Sequence, residues 1–136
     1  AVRSDGTKIW DLTGVVTTHT GIMTAAPYRC LKGDHWIFAG TGLANGELFG
    51  TESQHERCHG GASGHETDKV SPFTPKNAVV IAKGANKDEG GAEIVHFETA
   101  SNGAVYSAGS INYVLSLLVD RNISRITANV ISRFLE

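Results

Sequence analysis

Proline is scarce in this chain, at 3 positions among 136. Beside 16 glycines, so few prolines argue for tight turns and close backbone packing rather than a flexible linker. Cysteine is scarcer still. Cys30 and Cys58 permit one disulfide, but a chain of this length does not depend on one, and they read as two reduced thiols in an intracellular protein. Neither sign of charge dominates: 12 Lys and Arg against 14 Asp and Glu leave -2. That excludes a basic field for nucleic acid or anionic lipid. No apolar run approaches the roughly 18–20 residues of a membrane span. There is no signal-peptide pattern and no initiator Met. Ala1 falls within what reads as ordered structure, so the expectation is a piece of a longer polypeptide. Internal repeats and low-complexity segments are missing too.

What is present suits one domain with one core: 40% hydrophobic and 19% charged residues. Lys8–Leu12 and Gly14–Thr18 are rich in Trp, Ile, Val and Thr and predict two short strands or one bulged strand. Thr20–Thr24 resembles a turn. His35-Trp36-Ile37-Phe38 reads as a short strand running into the Gly40-Thr41-Gly42 turn. That turn is no nucleotide loop, since no Gly-Lys-Ser/Thr follows. Residues 47–75 show no hydrophobic periodicity and predict a long functional loop. From Ala78 the pattern sharpens. Residues 78–82 form a continuous apolar run, 92–98 alternate, and Ser101-Asn102-Gly103 is a hairpin turn into a third strand at 104–108. Residues 110–118 are mixed and allow a short helix. Ile123, Ile126, Val130, Ile131 and Phe134 lie on one stripe of a C-terminal helix, with Asp120 or Asn122 as its N-cap.

The chemistry gathers in Cys58-His59-Gly60-Gly61-Ala62-Ser63-Gly64-His65-Glu66-Thr67-Asp68-Lys69. With three glycines, two imidazoles and no apolar residue larger than Ala, the stretch reads as a loop and not as core. Proton donors and acceptors stand close together there, on backbone free to approach a ligand. Three chemistries are open. His55, Cys58, His59 and His65 have types that bind zinc, though the spacing matches no standard finger and a zinc-stabilised binding domain is the corresponding function. Glu66, beside His65 and two residues before Asp68, can act as a base on water. Cys58, with histidines nearby, or Ser63 can be a nucleophile, but Gly-Ala-Ser-Gly is not a nucleophile elbow. A solvated polar loop without chemistry stands beside all three.

Several strings resemble the large (β) subunit of N,N-dimethylformamidase. They are residues 33–43, the Gly60–Lys69 string, Ala82–Asn86 with Gly90–Glu93, Gly109–Asn112 and Ser124–Val130. The resemblance implies hydrolysis of N,N-dimethylformamide to dimethylamine and formate. It implies a large subunit paired with a small helical one, in the cytoplasm. It also implies an α/β catalytic domain like that of class I glutamine amidotransferases, with a mononuclear non-haem iron held by tyrosines and a glutamate. Residues 1–136 would be a single C-terminal segment of that domain, with a long Gly-rich loop, a hairpin-like region and an amphipathic C-terminal helix. The iron ligands are expected outside this chain, because Tyr28, Tyr106 and Tyr113 stand in no matching motif. Glu66 carries over as the catalytic base on water and His65 as its companion. Trp36 and Phe38 are candidates to wall an apolar pocket for two methyl groups, or ordinary core aromatics. The isolated chain is expected to be inactive. The alternative is a non-catalytic assembly module of a larger subunit.

Overall fold

A computed structural model describes residues 6, 8–18, 23–56 and 59–136. The turn expected at 20–24 lies partly outside these residues, and Cys58 lies wholly outside them. Nine strands and three helices follow in chain order among the described residues: α1 (Ile9–Thr13), β1 (Val16–Thr18), β2 (Ala25–Ala26), β3 (Tyr28–Cys30), β4 (Leu48–Phe49), β5 (Ser63–Gly64), β6 (Thr67–Lys69), β7 (Val79–Gly84), β8 (Glu93–Glu98), β9 (Ala104–Ser107), α2 (Tyr113–Ser116) and α3 (Arg121–Leu135). A 3-10 turn, Trp36–Phe38, stands between β3 and β4.

The three strands expected after Ala78 are neighbours in a five-stranded sheet of order β4-β3-β7-β8-β9, with β7 at its centre and β9 at one edge. Every pairing among the described strands is antiparallel. The chain is therefore mixed α and β, with antiparallel sheets and a C-terminal helix. Alternation along β8 divides its side chains between two cores. Ile94 turns toward the cluster of Tyr28, Phe49, Ile81, Ile123, Ile126 and Val130, whereas Val95 and Phe97 join Val15 on the other face. Both faces are covered, so β8 is buried nearly throughout. A bulge between Val80 and Ala82 puts Ile81 and Ala82 into the same cluster.

Helix α3 begins where Asp120 caps it. The carboxylate oxygen Oδ1 accepts from the N–H of Asn122 and of Ile123, both at 3.0 Å. Oδ2 accepts from Thr51 N–H at 2.9 Å and so ties the preceding loop to the helix. Ile123, Ile126 and Val130 pack inward, but Ile131 and Phe134 stay 55% and 46% exposed. The stripe outruns the surface available to cover it.

Three local expectations differ from the fold, the first being that residues 47–75, expected to be one long loop, hold β4, β5 and β6. Ile9–Thr13 is helical, with Lys8 as its extended N-cap: Asp11 accepts from Lys8 N–H at 3.0 Å, and Gly14 at φ 76° closes the helix on Trp10 O. Residues 35–38 wind into a 3-10 turn because His35 Nδ1 accepts from Ile37 N–H at 3.3 Å. Consecutive i to i+3 bonds from Phe38 to His35 and from Ala39 to Trp36 complete it.

Candidate functional site

The Gly-rich stretch is not a solvated loop. Gly61, Ala62, Ser63, Gly64 and Thr67 are buried, in a place where the sequence predicts surface. The reason is backbone against backbone. A Cβ on Gly61 would stand 2.5 Å from Ala26 O and from Gly50 O, and one on Gly64 would overlap Thr24 O at 1.8 Å. Only glycine lets β5 lie this close to β2, with Ala25 opposite Gly64 and Ala26 opposite Ser63.

Polar side chains from three other segments close around this strand. The Ser63 hydroxyl donates to Asn86 Oδ1 at 2.7 Å and accepts from Ala92 N–H at 3.0 Å. The amide nitrogen of Asn86 donates to Ser63 O at 3.0 Å and to Thr24 Oγ1 at 2.8 Å. The Ser110 hydroxyl accepts from Gly64 N–H at 2.8 Å and donates to Gly64 O at 3.1 Å. Thr67 donates to Gly90 O at 2.9 Å, and Asp68 N–H donates to Gly109 O at 2.8 Å. The Asn112 amide reaches Gly61 O at 3.5 Å. Residues 60–69, 82–86, 90–93 and 109–112 are distant in sequence and meet in one hydrogen-bonded knot. Gly91 belongs to it for the same reason as Gly64, since a Cβ there would stand 2.0 Å from Gly84 O.

The knot presents two side chains outward. His65 is half-buried and adopts φ 62°, a left-handed conformation seldom taken by a non-glycine residue. Its N–H donates to Thr24 O at 2.9 Å, and its carbonyl accepts from Met23 N–H at 3.1 Å, so the conformation is pinned on both sides. Glu66 follows, exposed. Among the described residues no group bonds its carboxylate. Asp68 and Lys69 lie in β6, paired with Thr17 and Val16.

The other candidates have other tasks. Ser63, fully buried with its hydroxyl engaged twice, is a structural tie and not a nucleophile. His55 and His59 are exposed, and among the described residues no three His, Cys, Asp or Glu side chains gather as a metal shell. Cys30 is a buried free thiol. Phe38 is core, edge-on to Phe49.

Trp36 instead walls a cleft of about 570 Å³ with His96, Glu98, Thr99, Arg133 and Phe134. No described residue of the Gly-rich stretch lines it. Trp36 meets His96 edge-on at 5.4 Å, and the Arg133 guanidinium lies 6.0 Å from the indole centroid. His35 is 5.5 Å from His96. Burial lowers the pKa of both imidazoles, and for His35 the neighbouring His96 adds to it.

Sequence reasoning missed a third feature, a tyrosine cluster inside the core. The Tyr106 hydroxyl donates to that of Tyr113 at 2.9 Å, and Tyr113 is also 2.9 Å from Thr127 Oγ1. Tyr28 donates to Ala108 O at 2.7 Å and meets the Tyr113 ring edge-on. Burial pushes the phenols of Tyr28 and Tyr106 well above their ordinary range and raises that of Tyr113, which favours the protonated form in all three. No local motif marks them; only the sheet brings β3, β9 and α2 together.

A family model described as N,N-dimethylformamidase beta subunit-like, C-terminal, matches residues 3–125. The chain belongs to this family. Among curated proteins, the N,N-dimethylformamidase beta subunit of Paracoccus aminophilus is 29% identical over 164 aligned positions, covering 95% of this chain and 20% of the relative. The chain thus spans about a fifth of the length of the curated relative it matches. The family match takes in the whole knot and stops short of the last turns of α3, whose Arg133 and Phe134 line the cleft.

Proposed function

We propose that this chain is the C-terminal segment of the large subunit of an iron-dependent amidohydrolase, and that it supplies Glu66 as the base on water. The substrate in this reading is N,N-dimethylformamide or a similar small amide, and the products are formate and dimethylamine. The single observation carrying the proposal is the knot. Family segments scattered over fifty residues converge on β5 and hold His65 and Glu66 outward, with the Glu66 carboxylate unbonded among the described residues. His65 holds its left-handed φ of 62° immediately beside the exposed Glu66.

The chemistry follows from the group. An amide carbonyl resists water because the nitrogen lone pair is delocalised into it. Glu66 takes a proton from water as the oxygen attacks the formyl carbon. The tetrahedral intermediate then breaks its C–N bond, and the proton held on Glu66 goes to the departing amine nitrogen. His65, adjacent and half-buried, is the candidate second acid–base group.

The described residues do not fit an iron shell. No three His, Cys, Asp or Glu side chains converge, and the three tyrosines are buried, hydrogen-bonded and held protonated, not poised as phenolates. The proposal therefore assigns the iron ligands to the rest of the subunit, within an amidotransferase-like α/β domain that this antiparallel segment extends. The partners in this reading are that remainder and a small helical subunit, in the cytoplasm. Among the described residues no helix is long and apolar enough to cross a membrane.

Glu66→Gln in the full-length, iron-loaded subunit tests the assignment. Dimethylformamide hydrolysis is expected to fall about 10²- to 10⁴-fold, the usual worth of a general base. The second reading, a non-catalytic assembly module, draws support from the burial of Gly61–Gly64. It predicts normal hydrolysis in the folded, iron-loaded variant, and that result would end the catalytic assignment.

A further inference from the structure

We propose that Ser110 and Asn86 are positioning residues that act through Glu66, an inference resting on the reading of Glu66 as the base. They grip the two residues that lead into the His65–Glu66 turn. Ser110 has one hydroxyl hydrogen and two lone pairs, and the structure uses all of them. The hydrogen goes to Gly64 O at 3.1 Å, and the oxygen accepts from Gly64 N–H at 2.8 Å and from Asn112 N–H at 3.1 Å. One side chain thus clamps both backbone groups of the residue immediately before His65. Asn86 holds the preceding residue, Ser63, by its carbonyl and its side-chain hydroxyl. Its oxygen accepts the Ser63 hydroxyl at 2.7 Å, and its nitrogen donates to Ser63 O at 3.0 Å and to Thr24 Oγ1 at 2.8 Å.

The need for two clamps lies in the backbone they restrain. Gly64 has φ 158° and carries no side chain to limit its torsions, and His65 next to it is held at φ 62°. A glycine feeding a left-handed residue is a swivel, and every degree of freedom at Gly64 turns the Glu66 carboxylate. Contact with the Thr24 backbone limits Gly64 on one face, and the Ser110 hydroxyl adds direct hydrogen bonds to its N–H and C=O. Ser110 also sits opposite Thr67 in an isolated antiparallel bridge, and Ile111 N–H reaches Glu66 O at 3.4 Å, so the segment flanks Glu66 on both sides.

The test is a double-mutant cycle in the full-length, iron-loaded subunit, reading formate release from dimethylformamide. Ser110→Ala is expected to lower kcat about 10- to 100-fold with KM changed by about two-fold or less, since misplacing a catalytic group costs the transition state more than substrate binding. Ser110→Thr, which keeps the hydroxyl, is expected to restore most of the rate. Asn86→Asp keeps the acceptor for Ser63, loses both N–H donors and should behave like Ser110→Ala. The distinguishing arm is Ser110→Ala placed on Glu66→Gln, where the residual rate is expected to fall no further. An equal fold-loss on both backgrounds would show that Ser110 only holds the fold, and an unchanged kcat in Ser110→Ala would overturn the proposal outright. Glu66→Gln alone decides the base assignment: a normal rate there removes that reading, and this proposal with it, whatever the Ser110 variants do.

Discussion

Gly64 and Glu66 stand two residues apart and answer to opposite constraints. Gly64 is buried against the backbone of Thr24, where a methyl group would overlap the carbonyl oxygen. Gly64→Ala therefore forces β5 away from β2 and is expected to cost about 3 kcal/mol, at the upper end of ordinary overpacking. A fall in the urea midpoint of unfolding is the measurement, and an unchanged midpoint would mean the two strands are not in contact. Glu66 is exposed, and among the described residues its carboxylate is unpaired. Glu66→Gln should thus leave stability within about 0.5 kcal/mol of the parent, as for surface substitutions generally. A large loss of stability would show that the carboxylate has a structural partner. His65 was legible in the sequence as a candidate, but its left-handed backbone was not. Nothing in the letters around it says that Thr24 and Met23 will hold it from across a strand pair.

At the level of elements, Asp120 joins two pieces that sequence spacing treats as unrelated. It caps α3 and also receives Thr51 N–H from a loop nearly seventy residues earlier. Asp120→Ala removes a cap and strands buried N–H groups at once, so a loss of about 2–3 kcal/mol is expected. Asp120→Asn should lose less, because the amide oxygen still serves one side. Denaturant unfolding of the two variants checks the order. The 3-10 turn at Trp36–Phe38 has a different sensitivity. It depends on an unprotonated Nδ1 at His35, which faces Lys32 and Asp34 on its own segment and His96 on β8, while His96 in turn faces Glu98 and Arg133. Burial holds both imidazoles below the ordinary 6.5. The unfolded chain therefore takes up protons first as pH falls. Their contribution to stability is complete above 6.5, declines as pH drops through the lowered folded values, and levels off below them. Replacing His35 and His96 together by Gln should flatten the unfolding free energy against pH across that range. A parent protein whose stability is already flat there would refute the assignment.

Across the whole molecule, the strand pattern after Ala78, the hairpin at Asn102 and the helix at 121–135 were written in local periodicity and turn chemistry, and the fold has them. The helix at Ile9–Thr13 and the 3-10 turn were not, because a Trp- and Ile-rich stretch favours strand until a carboxylate or imidazole captures a backbone N–H. At this scale the prediction concerns completeness. With Glu66 exposed and no metal shell among the described residues, the isolated chain is expected to release no formate from dimethylformamide and to hold no stoichiometric iron. Metal analysis and a formate assay on the isolated chain test both, and tightly bound iron would move the ligand set into this segment.

The Gly60–Lys69 string shows where sequence stops and tertiary structure begins. Sequence alone determined that the stretch would need unusual backbone freedom and would bring His65 and Glu66 together, since both follow from residue type and adjacency. It pointed to surface, because small and polar residues bury little apolar area. Tertiary structure put Gly61–Gly64 inside, because close approach of two backbones is worth as much as side-chain packing when hydrogen bonds satisfy every group. Those bonds come from Asn86, Ala92 and Ser110, up to 46 residues away along the chain. No local rule connects them; only the folded sheet does.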